Sequence, residues 1–400
     1  MSRRIIILGA TGSIGTQALD VVRNNPSDFK VVGLSAGGSN VAALAQFALE
    51  FNVEVVAIAN GTSAQDFQLA IYAQASKNGY TQGSFEVPKL LIGPTAASQL
   101  AKYSADLVLN GITGAVGLGP TVAALEAGAQ LALANKESLV IGGKAVTRLA
   151  KPGQIIPVDS EHSALAQCLR AGTTSEIKKL ILTASGGPFR SYSKEQLESV
   201  TVDQALNHPT WSMGPVVTVN SSTMMNKGLE IIEAHLLFDI PMENIEVVVH
   251  PQSVVHSMVE FIDGSTIAQA SPPDMHLPIA LGLSWPNRLA NSAPACNWTE
   301  STSWTFEPVN HEVFPAVALA KLAGSKAGTA PAVMNGANEV AVDAFLSGNL
   351  RYSQIIPTVS QIVESHLASG FVSDEHLTIE EVTKAAHWAQ NACAQLISNT

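Results

Sequence analysis

Short apolar runs alternate with amphipathic stretches over the first 157 residues of the chain. Aliphatic residues fill runs such as Arg3–Leu8 and Lys30–Leu34, whereas Ala-rich stretches such as Val41–Phe51 and Thr121–Ala127 repeat their apolar positions every three to four residues. Continuous apolar strands separated by helices are typical of a parallel sheet that is covered on both faces. The other predicted strands of this sheet are Glu54–Ala59, Lys89–Ile92, Leu107–Leu109, Gln130–Leu133 and Ile155–Val158.

The pattern changes after residue 160. Predicted strands become less regular in spacing, and Asp263-Gly264 is typical of a tight hairpin turn. We expect a mixed α+β region here. Its predicted strands are Leu180–Ala184, Val216–Asn220, Glu246–His250, Ser257–Phe261 and Thr266–Ala270.

The last part of the chain is predicted to be helical. Residues 285–310 are rich in Pro, Asn, Ser and Thr and are interpreted as a linker. Helical periodicity follows in Ala332–Phe345, Ser353–Ala368 and Thr378–Ser398, and Thr378 with Glu381 forms a capping-box pattern. The predicted class is α/β, with a Rossmann-like parallel sheet (1–158), a central α+β domain (159–285), a linker (286–311) and a C-terminal helical bundle (312–400).

Composition narrows the classes of partner. A formal net charge of −11 gives no general attraction for nucleic acid or anionic membranes, and no run approaches the length of a membrane span. The cysteines Cys168, Cys296 and Cys393 are odd in number and far apart, which favours reduced thiols and a cytoplasmic location.

A glycine motif, GATGSIG at residues 9–15, lies between the first predicted strand and a predicted helix, Ser13 to Asn24. Glycines allow the tight turn and the close approach of a pyrophosphate, which the helix N-terminus attracts. A turn without a ligand is the lesser alternative. The second strand ends in Ala36-Gly37-Gly38-Ser39-Asn40 without an acid, which favours NADP over NAD, and Gly37, Gly38 and Asn40 are candidate contacts.

The triplet Asp159-Ser160-Glu161 follows a predicted strand end. If the backbone is extended there, Asp159 and Glu161 point the same way, and two such carboxylates suit Mg²⁺ or Mn²⁺. Helix capping by Ser160 is an equally good interpretation of the triplet alone.

A third acid could come from the helix predicted to begin near Ser222. Asn226 and Glu230 share a face of this helix with Lys227 beside them, and Glu233 lies one turn further on. The spacing cannot choose between Glu230 and Glu233. A surface helix with solvated charges is the alternative.

Two further loops suit a phosphate and a lid. Ser185-Gly186-Gly187 can surround an anion with backbone N–H groups, and the segment 208–214 carries Trp211 and Met213 between Pro and Gly residues. Burial of Trp211 and Met213 in the core is the alternative. His250 and His256 are interpreted as hydrogen-bonded structural histidines.

The strings GATGSIG, LANKESLV, PVDSEH, SGGPFR, HPTWSMG, NSSTMMNKGLE, HPQSVVHSMV and PPDMHLPI occur in this order along nearly the whole chain. They resemble the 1-deoxy-D-xylulose 5-phosphate reductoisomerases. The resemblance implies a homodimer that uses NADPH and a divalent cation, Mg²⁺ or Mn²⁺ with Co²⁺ as a further candidate. It would convert 1-deoxy-D-xylulose 5-phosphate into 2-C-methyl-D-erythritol 4-phosphate, by carbon–carbon cleavage and re-addition followed by hydride transfer, in the non-mevalonate isoprenoid precursor pathway.

The same resemblance assigns roles to residues, with Lys136, Glu161, Glu230 and His208 as catalytic. The metal carboxylates are Asp159, Glu161 and Glu230. Substrate contacts are Lys136, Ser160, Glu161, Ser185, His208, Trp211, Met213, Ser221, Asn226, Lys227 and Glu230. Cofactor contacts are Thr11, Gly12, Ser13, Ile14, Asn135, Glu137 and Gly214, besides those after the second strand. A metal-free NADP dehydrogenase and a non-catalytic NADP sensor are the two rival functions.

Overall fold

The computed structural model describes residues 2–81, 85–211 and 213–399. Its strands are β1 Arg3–Leu8, β2 Phe29–Ala36, β3 Val55–Ile58, β4 Lys89–Ile92, β5 Leu107–Asn110, β6 Gln130–Leu133, β7 Ile155–Pro157, β8 Ile177–Ala184, β9 Ile245–Val249, β10 Val255–Phe261, β11 Thr266–Ala270 and β12 Glu307–Pro308. Its helices are α1 Ser13–Asn24, α2 Val41–Glu50, α3 Ala64–Lys77, α4 Ala96–Ala101, α5 Leu118–Ala127, α6 Lys136–Thr147, α7 Ser160–Cys168, α8 Lys194–Leu197, α9 Val202–Leu206, α10 Pro215–Ser222, α11 Met225–Phe238, α12 His276–Ser284, α13 Ala316–Lys326, α14 Ala330–Leu346, α15 Ile355–Ser369 and α16 Ile379–Ser398.

The chain divides into two compact units. The first comprises the residues up to Asn135 together with Leu149–Asp159 and Met275–Ala293. The second comprises Lys136–Arg148, Ser160–Asp274 and the residues from Pro294 onward. Each unit is built around its own sheet and its own hydrophobic core.

The first unit is built on a parallel sheet in the order β4-β3-β2-β1-β5-β6-β7. Its central strand β1 is buried on both faces, since Ile5, Ile6, Ile7 and Leu8 have no exposed surface. The strand order reverses between β1 and β5, and in open α/β sheets ligands bind where such a reversal brings the carboxyl ends together. The predicted parallel, doubly covered sheet is confirmed.

The second unit has a mixed sheet in the order β11-β10-β8-β9-β12. β8 and β9 are parallel, and the β10–β11 pair is the predicted hairpin, with Gly264 at a φ of +89° in its turn. One hydrophobic core joins this sheet to α11 and to the C-terminal helices. The predicted helix start is also confirmed at α16, where the Thr378 hydroxyl accepts a hydrogen bond from Glu381 N at 3.1 Å.

Three local predictions are wrong. The predicted strand Val216–Asn220 is part of helix α10, which ends at Ser222. The helix that was predicted to begin near Ser222 is α11, and it begins at Met225. β-branched residues favour strands, but Gly214 as N-cap and Pro215 at the first helical position start a helix, and its buried face stabilises it. The extended backbone expected through Glu161 is also absent, because α7 begins at Ser160.

Within the described residues, no helix combines the length and the hydropathy needed to cross a membrane.

Candidate active site

Three helices of the second unit bring two carboxylates and two lysines together. Lys136 opens α6, Glu161 lies in the first turn of α7, and Asn226, Lys227 and Glu230 lie on the first turns of α11. Lys136 Nζ donates to Glu230 Oε1 at 2.8 Å and to Asn226 Oδ1 at 3.1 Å. Lys227 Nζ donates to Glu161 Oε1 at 2.7 Å and also to Glu230 Oε2. The sequence predicted this shared face of α11, and we call these five residues the carboxylate cluster.

The carboxylate cluster is largely shielded from solvent. The Glu230 side chain is 1% exposed and that of Lys227 is 5% exposed. Burial by itself would lower the pKa of Lys227, but the carboxylates of Glu161 and Glu230 outweigh this effect, so its pKa is raised. The raised pKa keeps Lys227 as an ammonium ion.

Two carboxylates of the cluster could act as ligands of a divalent cation. Glu161 and Glu230 each present an oxygen within 4.8 Å of the other. Oxygen donors of this kind are what Mg²⁺ and Mn²⁺ prefer. The ammonium of Lys227 contacts both carboxylates and neutralises part of their negative charge. Ser160 Oγ donates to Glu161 Oε2 at 2.5 Å and so orients that carboxylate.

The structure distinguishes the two acids of α11 that the spacing left open. Glu230 faces Lys136 and Lys227, whereas Glu233 Oε2 lies 3.1 Å from His162 Nδ1, with both of those side chains fully buried. His162 Nε2 donates to the backbone oxygen of Glu230 at 2.8 Å. His162 therefore connects α7 to α11 through Glu233 and the backbone of Glu230. The sequence analysis did not predict this contact, although His162 directly follows Glu161 and Glu233 lies one turn after Glu230.

A second cluster joins Ser185, His208 and Ser221. His208 Nδ1 accepts hydrogen bonds from Thr210 N at 3.1 Å and Trp211 N at 2.9 Å, so in the neutral ring the proton is on Nε2. Nε2 lies 3.0 Å from Ser185 Oγ and 3.1 Å from Ser221 Oγ and donates to both. Burial lowers the pKa of His208, which favours this neutral form.

This donation leaves the two serines able to donate in turn. Ser185 Oγ also accepts from Gly187 N at 3.2 Å, so both of its acceptor positions are used and its hydrogen is available to an anion. Gly186 and Gly187 have positive φ values of +81° and +66°, which only glycine adopts readily. We call Ser185, His208 and Ser221 the serine–histidine site, and its chemistry suits the oxygens of a phosphate.

The segment between α9 and α10 is a loop, as predicted. The Trp211 ring lies 6.1 Å from the His256 ring, centroid to centroid, and is only partly buried. Thr218 Oγ1 donates to Met213 O at 3.3 Å, which fixes the loop where α10 begins at its N-cap Gly214. Ser212 lies outside the described residues. His250 and His256 make the hydrogen bonds to backbone expected of structural histidines.

In the first unit, the glycine motif forms the turn from β1 into α1. Gly9 has a φ of +79°, and a Cβ atom there would lie 2.8 Å from Gly111 O, which follows β5. A Cβ on Gly15 would lie 2.3 Å from Gly9 O. These glycines hold the turn close to the point where the strand order reverses, with Gly12 as the N-cap of α1 and Thr11, Ser13 and Ile14 beside it.

The second predicted cofactor segment follows β2. Gly38 has a φ of +110°, and Ser63 Oγ donates to its carbonyl at 3.1 Å. Asn40 caps α2 by accepting from Ala43 N at 3.1 Å, so its side chain has a local structural role as well. A Cβ on Gly37 would meet open space, which leaves room for a ligand.

Two predicted cofactor residues lie further along the chain. Asn135 is buried in the first unit, where its Nδ2 donates to Gly114 O at 3.0 Å. Glu137 lies in the first turn of α6 in the second unit.

Family models match almost the whole chain. A model described as 1-deoxy-D-xylulose 5-phosphate reductoisomerase matches residues 5–143, its C-terminal domain matches residues 155–238, and a DXP reductoisomerase C-terminal domain matches residues 270–392. The chain belongs to the 1-deoxy-D-xylulose 5-phosphate reductoisomerase family. This confirms the resemblance stated from its motifs.

Relatives of this name are similar over their full lengths. The reductoisomerase of Paenarthrobacter aurescens strain TC1 is 58% identical, and the match covers 97% of this chain and 96% of the relative. That of Cutibacterium acnes is 53% identical, with 98% of each chain covered.

Solved structures of the family agree in fold. A DOX-P reductoisomerase in complex with NADPH, fosmidomycin and magnesium is 35% identical, with a TM-score of 0.88 over 99% of this chain and 98% of the other. The reductoisomerase from Zymomonas mobilis in complex with NADPH is 36% identical, with a TM-score of 0.89 over 100% of both chains.

Proposed function

We propose that this chain converts 1-deoxy-D-xylulose 5-phosphate into 2-C-methyl-D-erythritol 4-phosphate, an oxidoreductase reaction that requires NADPH and a divalent cation. Membership of the family and the ligands of the solved relatives support this function. The observation that carries it is the buried pair of carboxylates with two lysines, in the same unit as a serine–histidine site suited to phosphate. The reaction would serve isoprenoid precursor synthesis.

Asp159, Glu161 and Glu230 are proposed as the metal ligands. Asp159 ends the first unit two residues before Glu161, so chain geometry alone keeps their Cα atoms within about 7 Å. When bound, the cation supplies Lewis-acid polarisation of substrate oxygens. Mg²⁺ is the ion in one solved relative, and Mn²⁺ and Co²⁺ are proposed as alternatives.

We propose that the following residues of the chain bind and orient the substrate. Lys136, which donates to Glu230 and Asn226, would direct a proton toward substrate oxygens beside the acids, and Ser160 would hold Glu161. Ser185, His208 and Ser221 would donate to the phosphate, and Asn226 and Lys227 would lie at its other side. Anchoring the phosphate fixes the reacting end and allows Trp211 and Met213 to exclude water.

NADPH is proposed to bind the first unit at the glycine turn. Thr11, Gly12, Ser13 and Ile14 would contact the pyrophosphate, and Gly37, Gly38 and Asn40 would lie near the 2′-phosphate. Asn135, Glu137 and Gly214 would complete the contacts. The open space beside Gly37 and the close turn at Gly9 support this placement.

We propose one role for each predicted domain. Residues 1–158 would bind NADPH, residues 159–285 would carry catalysis and dimerisation, and residues 312–400 would form the helical domain after the linker 286–311. A homodimer in the cytoplasm is proposed, and the free thiols of Cys168, Cys296 and Cys393 fit that compartment.

The test measures NADPH oxidation with 1-deoxy-D-xylulose 5-phosphate after EDTA treatment, with and without Mg²⁺. Turnover should require the cation. Glu230→Gln removes a proposed metal ligand and should abolish turnover while NADPH binds with unchanged affinity. Glu243→Gln changes an exposed glutamate of the same unit and should keep full activity. Turnover by Glu230→Gln at the normal rate would rule out the metal assignment.

A further inference from the structure

Residues of the C-terminal region form hydrogen bonds to the segments that carry the serine–histidine site. Ser185 belongs to the loop after β8, and Ser221 belongs to the last turn of α10. We call these two segments, the loop after β8 and the last turn of α10, the two arms of the site. They lie close together: a Cβ atom added to Gly187 would be 3.0 Å from the Cα atom of Ser222. Their spacing decides whether both hydroxyls can reach one anion.

Tyr352 touches both arms. It lies in a short 3₁₀ turn before α15, and its hydroxyl donates to the backbone oxygen of Ser222 at 2.7 Å. Ser222 is the last residue of α10, so its carbonyl has no partner within that helix. The Tyr352 ring also packs edge-on against Phe189, in the Ser185 loop, at 5.2 Å between centroids. Both rings are buried, at 5% and 2% exposed.

Asn338 of α14 holds the other side of Ser221. Its Nδ2 donates to Asn220 Oδ1 at 2.9 Å, and both side chains are buried. The residues immediately before and after Ser221 are therefore both hydrogen-bonded to the C-terminal region. Ser221 itself stays on the side of His208, 3.1 Å from Nε2.

We infer that Tyr352, supported by Asn338, is a positioning residue for phosphate recognition, setting the distance between Ser185 and Ser221. The inference rests on the proposed function of the serine–histidine site. The hydrogen bonds of Tyr352 and Asn338 described above go to Ser222 and Asn220, which are not residues of the carboxylate cluster. Their loss should therefore weaken the anion contact and leave the cation site as it is.

Tyr352→Phe is the first test, because it removes the hydroxyl and keeps the ring on Phe189. The probes are KM and kcat for 1-deoxy-D-xylulose 5-phosphate, inhibition by inorganic phosphate, and Mn²⁺ affinity from its electron paramagnetic resonance signal. We expect KM and the phosphate inhibition constant to rise together, by roughly tenfold for one lost buried hydrogen bond. kcat and Mn²⁺ affinity should stay within about twofold, which a general loss of structure would not allow.

Tyr192→Phe is the matched control. Tyr192 packs on the same Phe189 ring at 5.1 Å, and its hydroxyl makes no hydrogen bond among the described residues. That variant should behave as the wild type. Asn338→Ala should change phosphate inhibition in the same direction as Tyr352→Phe.

Two outcomes would overturn the inference: unchanged KM and phosphate inhibition in Tyr352→Phe, or an equal loss of phosphate and Mn²⁺ affinity. A wild-type protein that binds phosphate but does not turn over the sugar phosphate would instead contradict the proposed function. In that case a weaker phosphate affinity in Tyr352→Phe would still support the positioning role.

Discussion

Lys227 is a buried cation that forms ion pairs with the carboxylates of Glu161 and Glu230. Lys227→Met would leave Glu161 and Glu230 with Lys136 as the nearest remaining ammonium. Removing one partner of a buried ion pair destabilises a protein by about 3–5 kcal/mol, so we expect a marked fall in the melting temperature. A bound divalent cation would restore the missing charge, so Mg²⁺ should raise the melting temperature of the variant more than that of the wild type.

The control for this prediction is an exposed ion pair. Lys178 Nζ lies 2.7 Å from Glu260 Oε1, with the lysine 55% exposed. Lys178→Met should cost less than about 1 kcal/mol and should leave the effect of Mg²⁺ unchanged. Equal shifts by Mg²⁺ in Lys227→Met and the wild type would contradict the placement of the cation beside Glu161 and Glu230.

The tautomer of His208 can be tested directly. Two backbone N–H groups donate to Nδ1, and burial lowers the pKa of the ring. The ¹H–¹⁵N spectrum of the histidine side chains should therefore place the His208 proton on Nε2, with a titration midpoint below about 6.5. His208→Asn would assign the signal. A proton on Nδ1 in the neutral ring would contradict the proposed donation to Ser185 and Ser221.

Sequence spacing could group the residues of one helix but could not orient them toward remote partners. Asn226, Lys227 and Glu230 were predicted to lie together because an i, i+4 relation is local. The choice between Glu230 and Glu233 depends on Lys136 and His162, which come from other helices. Tyr352 was missed for the same reason, since its bond to Ser222 spans a sequence separation of 130 residues.

At the level of elements, the β1–α1 turn depends on Gly15 more than on Gly12. A Cβ at position 15 would lie 2.3 Å from Gly9 O and 2.5 Å from the Ala10 Cα, and neither backbone atom can move without shifting α1 from β1. Gly15→Ala should therefore destabilise the first unit by about 1–3 kcal/mol or more and abolish NADPH binding. Thermal unfolding and NADPH fluorescence would measure the two effects.

Two alanine variants separate stability from binding at this turn. In Gly12→Ala, the added Cβ atom would have one neighbour within 4 Å, Gly9 O at 3.3 Å. We therefore expect a clear loss of NADPH affinity with little change in the free energy of unfolding. Gly37→Ala meets nothing within 4 Å and should fold as stably as the wild type. If Gly15→Ala unfolds at the wild-type temperature, the turn is not constrained as described.

Helix α10 shows where local propensity misleads. The Val216-Val217-Thr218-Val219 run favours a strand, yet the segment is helical because Pro215 starts it and buried residues such as Val219 and Asn220 pack its inner face. Propensity differences amount to about 1 kcal/mol, which tertiary packing easily exceeds. The inner strands of the parallel sheet, such as β1, β3 and β5, were predicted well because their burial on both faces gives a continuous apolar signal.

For the whole molecule, the alternation of strands and helices in the parallel-sheet region was predictable, whereas the sharing of one hydrophobic core by distant elements was not. Helical periodicity identifies α14, α15 and α16 but says nothing about what covers their apolar faces. In the structure, Val333 and Val363 from these helices belong to the same core as Leu180 and Leu182 of β8. Only long-range packing reveals this, and it explains how Tyr352 and Asn338 reach α10.

The stability of the second unit should fall as the pH drops below about 6.5. Burial lowers the pKa values of His208, His256 and His366, so the unfolded state takes up protons first. Their contribution is complete above the unfolded pKa of about 6.5 and is lost as the pH falls toward the lower folded values, at up to about 1.4 kcal/mol per pH unit for each histidine. Glu260 of the same unit has a lowered pKa and titrates at more acidic pH, outside this window.

Denaturant unfolding at a series of pH values from about 8 to 5.5 would measure this slope. His366 accepts or donates in a 2.7 Å hydrogen bond with Thr329 Oγ1, outside both proposed sites. His366→Gln should lower stability at neutral pH yet flatten the pH dependence, because one of the three histidines with a lowered pKa is gone. Replacing the exposed His387 in the same way should leave the slope unchanged. An unaltered slope in His366→Gln would mean that its burial does not set the acid sensitivity of this unit.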